Sequence, residues 1–236
     1  MPPKRKTAAG AAAAAAAAAG GGGRAAGGAD GLVYRHCFLQ AIMGRQYLKE
    51  SDAKELYRQI TGAAHDGNYL HFMADINQQL NFAQFELRRV KYPGDGEWYL
   101  GFVNREGDEP SKRATKYRGA KDGKPDTRIT AYFRALLDQM VASSAADQGL
   151  GYLTSQQALY IQISPDAATQ AEEEEAAAVR QQADEVRKLS MKERETVLAQ
   201  LATDGWLAHM PSRAGCYTLG PRSFLELAQA LEGMVH

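Results

Sequence analysis

Cysteine is nearly absent: the 236 residues hold two, Cys37 and Cys216. Two thiols make no disulfide scaffold, and a structural zinc ion takes about four ligands, so the composition suits a reducing compartment. Net charge is absent as well, because 28 basic residues balance 28 acidic ones. No overall field therefore draws the chain to nucleic acid or to a membrane surface. No apolar run approaches the roughly 20 residues that span a bilayer. The N-terminal apolar stretch is Ala and Gly without a Leu-rich centre, unlike a secretory signal. The expectation is a soluble intracellular protein without membrane attachment. There is also no phosphate-binding loop, no Gly-x-Ser-x-Gly and no His-Glu-x-x-His. No catalytic residues are nominated.

What is present begins with a tail. Residues 1–30 join Lys4-Arg5-Lys6 to an Ala tract and a Gly cluster, with no large apolar groups to pack, and disorder is expected. Lys4, Arg5 and Lys6 fit a nuclear import signal, or are simply basic residues at a loose terminus.

From residue 31 to 104 the pattern is that of a winged helix. Phe38, Leu39, Ile42, Met43 and Tyr47 share one face of a first helix. Ser51 reads as the N-cap of a second, which carries Ala53, Leu56, Tyr57 and Ile60 and stops at Gly62. A third, from about Leu70, turns Met73, Ile76 and Leu80 inward. Then the period drops to two. Phe85, Leu87 and Arg89 alternate up to the turn Pro93-Gly94-Asp95-Gly96, and Trp98, Leu100 and Phe102 alternate on the return.

Residues 105–126 lack periodicity and form a basic linker. A second unit spans 127–236. Ile129, Phe133, Leu136, Leu137 and Met140 mark its first helix, and Ser155 to Ile161 a short second one. An acidic excursion near 164–182, with Glu172 to Glu175, is expected to extend the next helix outward as a solvated arm. That next helix carries Val197, Leu198 and Leu201 and stops at Gly205. Two short strands follow, Trp206 to Met210 and Cys216 to Leu219, joined by Pro211 to Gly215. A closing helix after Pro221 presents Phe224, Leu227, Ala228 and Leu231. The fold class is mainly α with small β hairpins: tandem winged helices behind a disordered tail.

A winged helix often lays its third helix in the major groove of DNA. Here that helix has no Lys or Arg between Leu70 and Leu80, and in the second unit Lys188, Lys192 and Arg194 alternate with Glu193 and Glu195. Sequence readout is not supported. Non-specific phosphate contact is more plausible, through Arg88, Arg89 and Lys91 and through Lys112, Arg113, Lys116, Arg118, Lys121 and Lys124; the alternative is a merely soluble basic loop. Cys37 is expected to be a buried small hydrophobe. His209 and Cys216 sit on opposing strands, but two ligands make no zinc site. The aromatics Tyr47, Tyr57, Tyr69, Trp98 and Tyr99 suit a core or an interface, and residue chemistry alone favours a protein-interaction scaffold.

The blocks Tyr34 to Gln40, Leu48 to Ala53, Phe72 to Asn77 and Phe85 to Arg89 resemble the opening of the non-SMC element one family. Asp204-Gly205-Trp206-Leu207 and Tyr217 to Arg222 are similar to its second wing. The resemblance runs from about Leu32 to Leu231. It implies a nuclear subunit of the SMC five–six complex, acting in DNA repair and recombination, that pairs with a MAGE-type subunit and with it engages the kleisin. It also implies a RING-like zinc module, which binds a ubiquitin-conjugating enzyme and gives ubiquitin ligase activity. Such a module needs about eight Cys/His ligands, which Cys37 and Cys216 cannot supply. The expectation for this chain is therefore an architectural subunit with no cofactor of its own. Two alternatives stand beside it: a ligase whose zinc module lies beyond His236, and a free-standing winged-helix regulator of DNA.

Overall fold

The structure, a computed structural model, describes residues 29–105, 126–147, 150–163 and 173–227. The first unit runs α1 (Ala29–Arg45), β1 (Tyr47–Lys49), α2 (Glu50–Thr61), α3 (Tyr69–Leu80), a 3-10 turn (Asn81–Ala83), β2 (Phe85–Lys91) and β3 (Trp98–Asn104). The second runs α4 (Thr127–Asp147), β4 (Tyr152–Thr154), α5 (Ser155–Leu159), α6 (Glu173–Arg187), α7 (Met191–Thr203), β5 (Leu207–His209), β6 (Cys216–Leu219) and α8 (Pro221–Glu226). Both sheets are antiparallel with matching strand orders, β1-β3-β2 and β4-β6-β5. Tandem winged helices are the architecture.

The short strands β1 and β4 depart from the sequence reading. Gln46, at φ +69°, ends α1, so Tyr47 leaves the helix and pairs with Gly101 instead. Ser51 is not the N-cap of α2. Lys49 holds that position without a side-chain bond, because the helix starts directly from β1. The predicted stop at Gly62 is present, in the left-handed conformation, with its N–H on the Arg58 carbonyl.

The first core joins Phe38 and Ile42 of α1, Ala53 and Tyr57 of α2, Tyr69, Met73 and Ile76 of α3, and Leu87 and Leu100 of the sheet. Met43, placed inward by periodicity, is exposed. The second core gathers Tyr132, Phe133, Leu136 and Met140 of α4 around Leu198, Leu201, Trp206 and Leu207.

The acidic stretch is not an arm of the following helix. Its described part, from residue 173, begins α6, a separate helix packed along α4 that buries Ala176 and Val186; residues 164–172 lie outside the described residues. A capping box restarts the chain: Ser190 Oγ accepts from the Glu193 N–H, and the Glu193 carboxylate accepts from the Ser190 N–H at 2.9 Å. Arg194 then turns inward, donating to the carbonyls of Leu159 and Val186 at 2.8 Å each, near the C-terminal ends of α5 and α6.

Candidate partner-binding surface

The strand β3 reads Trp-Tyr-Leu-Gly-Phe-Val, apolar at nearly every position, and both of its faces are used. Leu100 enters the first core, while Tyr99 and Val103, on the opposite face, are buried with Tyr92 and with Leu225 of α8. Tyr47, Val90, Ala208 and Phe224 close this seam, so each winged helix covers the back of the other. Polar bonds cross it. Tyr92 Oη donates to the Leu219 carbonyl and Arg88 Nη1 to the Leu225 carbonyl, each at 2.8 Å, and Arg222 reaches Gln46. Two glycines permit the close approach. A Cβ on Gly205, itself at φ +77°, would lie 2.3 Å from the Tyr47 ring, and one on Gly101 would lie 2.8 Å from Leu225 Cδ1.

Beside the seam lies a cleft of about 790 Å³, lined in part by Tyr47, Lys49, Asp95, Tyr99, Met210 and Pro211. Of its two acids, Asp52 and Asp95, the second is already satisfied. Burial pushes the Asp95 carboxyl up, but bonds from the Glu97 N–H and Tyr99 Oη, with Lys49 at 3.7 Å, hold it below the usual carboxylate range.

The residues nominated for phosphate contact fare differently from one another. Arg88 is held by Glu86 at 2.6 Å and by the Leu225 carbonyl. Arg89 Nη2 donates to the carboxylate of buried Glu50 at 2.9 Å, with Nε 2.7 Å from its other oxygen, and the guanidinium lies 4.9 Å from the Trp98 ring centre. Lys91 is exposed at the end of β2. Lys112, Arg113, Lys116, Arg118, Lys121 and Lys124 lie outside the described residues, as do the N-terminal tail with Lys4, Arg5 and Lys6, and Ala228 and Leu231.

The first unit carries most of the exposed apolar side chains. Among the described residues, six of the eight exposed large hydrophobics belong to it: Leu32, Val33 and Met43 on α1, Leu70 on α3, Phe82 in the 3-10 turn, and Trp98. Charges between α1 and α3 are consumed locally, with Arg35 on Asp75 at 3.3 Å and His71 3.8 Å from the same carboxylate. Cys37 is exposed here, not buried; its neighbour Phe38 takes the inward position, and adjacent residues on a helix point about 100° apart. Cys216 is buried, while the His209 ring packs tilted against Tyr217, 4.7 Å between centres. Among the described residues no group of three His, Cys, Asp or Glu is placed to hold a metal ion.

A family model described as "Nse1 non-SMC component of SMC5-6 complex" matches residues 35–227, from α1 through α8. The chain belongs to the Nse1 family. A chain of a solved "Nse1-Nse3-Nse4 complex" matches with TM-score 0.56 and 20% identity, over 82% of this chain and 71% of that one. At that identity the likeness speaks for the fold. No curated protein matches the chain.

Within this Nse1-family fold, of the aromatics singled out from the sequence Trp98 alone is in the exposed set. Tyr57 and Tyr69 are core, and Tyr47 and Tyr99 close the seam. Leu32, Val33 and Phe82 are not among those singled out. Their signal was present: apolar residues on the side of a helix, or in a turn, that the core does not need.

Proposed function

We propose that this Nse1-family chain is an architectural subunit of an SMC5-6 complex, acting in the nucleus in DNA repair and recombination. It pairs with a MAGE-type subunit, as Nse1 stands with Nse3 and Nse4 in the matched complex, and the pair engages the kleisin. The observation that carries this reading is the third helix of the first unit. A helix in the position that reads DNA elsewhere has no Lys or Arg, and exposes Leu70. Exposed apolar side chains suit contact with protein and not with phosphate.

Any DNA contact in this reading is non-specific and falls to Lys91 and the basic segment 112–124. Ubiquitin transfer is assigned to none of the described residues, since Cys37 and Cys216 lie in different units, one exposed and one buried. Co-expression with the cognate MAGE-type protein tests the pairing. The expected result is one stable complex through size-exclusion chromatography; separate elution of the two chains contradicts it.

A further inference from the structure

α8 belongs to the second unit in sequence, yet it packs against β2 and β3 of the first as well as against β5. Its two sides are held differently. Toward its own unit, Ser223 Oγ donates to the Trp206 carbonyl at 2.6 Å in a buried bond, and the Arg222 N–H donates to the Gly205 carbonyl at 3.1 Å. Leu227, directly after the helix, enters the second core. Toward the first unit, Leu225 packs with Tyr92, Tyr99 and Val103. It sits over Gly101 of β3, where a Cβ would come within 2.8 Å of its Cδ1. Phe224 meets the Tyr92 ring edge-on at 5.6 Å.

The seam is the smallest of the three apolar clusters among the described residues. It holds four buried residues, against ten in the first core and eighteen in the second. Opening it therefore exposes less apolar surface than unfolding either unit, and units joined by a small contact part at lower cost than their cores come apart. The bonds that cross it, from Tyr92, Arg88 and Arg222, are remade with water when the units part. The ladders of β3 with β1 and β2 lie inside the first unit and survive the separation.

We propose that α8 is a clasp with Leu225 as its knob: it stays with the second unit and releases the first, so that the seam opens as one motion while both winged helices remain folded. The open form uncovers Tyr99 and Val103 on the back of β3. The motion is a property of this chain by itself and does not rest on the pairing proposed above.

The test is thiol labelling of the full chain with iodoacetamide, read residue by residue by mass spectrometry, across urea concentrations below the unfolding transition. Val103→Cys reports the seam, and Ala53→Cys and Ala158→Cys report the first and second cores; all three positions are at most 1% exposed. Val103→Cys is expected to label at least about tenfold faster than either core thiol, with a shallower dependence on urea, because that slope follows the surface exposed. Leu225→Ala is expected to speed labelling of Val103→Cys by about tenfold or more.

Two core variants separate opening from unfolding. Ile76→Val in the first core and Ile161→Val in the second weaken the closed and open forms equally. Each is expected to speed its own core thiol by about two- to tenfold and to leave Val103→Cys at its rate. Equal rates and urea slopes at the three thiols overturn the clasp, because the seam then opens only when the units unfold. Acceleration of Val103→Cys by either Ile→Val change overturns it for the same reason. An unchanged rate of Val103→Cys in Leu225→Ala removes Leu225 as the knob. Should Leu225→Ala not fold, the rates, the slopes and the two Ile→Val variants decide.

Discussion

The Tyr92 phenol, beside the turn of the first hairpin, donates to the Leu219 carbonyl of the second unit at 2.8 Å, across 127 positions of sequence. The bond is buried and lies where the backs of the two sheets meet α8. With the seam of Tyr99, Val103 and Leu225 it packs the two winged helices against each other.

Replacing Tyr92 by Phe keeps the ring and leaves the Leu219 carbonyl without this donor. An unsatisfied buried acceptor costs about 1–3 kcal/mol. At roughly 2–4 °C per kcal/mol for a chain of this size, thermal melting is expected to fall by several degrees. Differential scanning calorimetry checks this, and both units are expected to melt in a single transition.

Alkaline pH is expected to act on the same place. Burial, with the nearby Asp95 and Tyr47, pushes the Tyr92 phenol from 10.0 up to about 12. Burial also raises Tyr69, Tyr99 and Tyr132. A phenol whose folded value is raised contributes stability that is fully present below its unfolded value and is lost as pH rises through the folded one. Urea midpoints are expected to be flat with respect to Tyr92 up to about pH 10 and to fall between about 10 and 12. Tyr92→Phe is expected to flatten part of that fall.

Gly205 is expected to tolerate no side chain. An added methyl meets two obstacles, the left-handed backbone and the Tyr47 ring. Gly205→Ala is expected to cost about 2–4 kcal/mol in urea unfolding, of which about 1–2 is backbone strain. In a Tyr47→Ala background only the backbone part is expected to remain. Equal costs in both backgrounds would remove the steric account of the seam.

The Ser190 and Glu193 capping box separates α6 from α7. Ser190→Ala is expected to cost about 1 kcal/mol. Hydrogen exchange is expected to quicken in the first turn of α7, and not in α4.

Much of this was legible in the sequence, and the exceptions share a cause. Phe38, Ile42, Tyr57, Met73, Ile76, Leu198 and Leu201 announce their helices by period, and Gly62 and Gly205 announce two of the stops. A rule that asks for one buried face per strand keeps Trp98, Leu100 and Phe102 of β3. It passes over Tyr99 and Val103, which are buried because a second unit lies behind the sheet. Trp98, selected by the same rule, is exposed. β1 and β4 have three residues each, too few to show any period. Arg88 and Arg89 read as exposed cations, and Arg89 is exposed; that Leu225 and Glu50 hold them was hidden because both partners are distant in sequence. The candidate surface was least legible of all, since exposure of Leu32 or Phe82 is a tertiary fact.

The proposed pairing is tested most directly by the chain's affinity for the cognate MAGE-type subunit as salt is raised. The account predicts a one-to-one complex whose affinity changes less than about threefold between roughly 50 and 200 mM salt, because no exposed ion pair or phosphate contact supports it. Failure to form a complex, or a loss of affinity on the order of a thousandfold across that range, would contradict it.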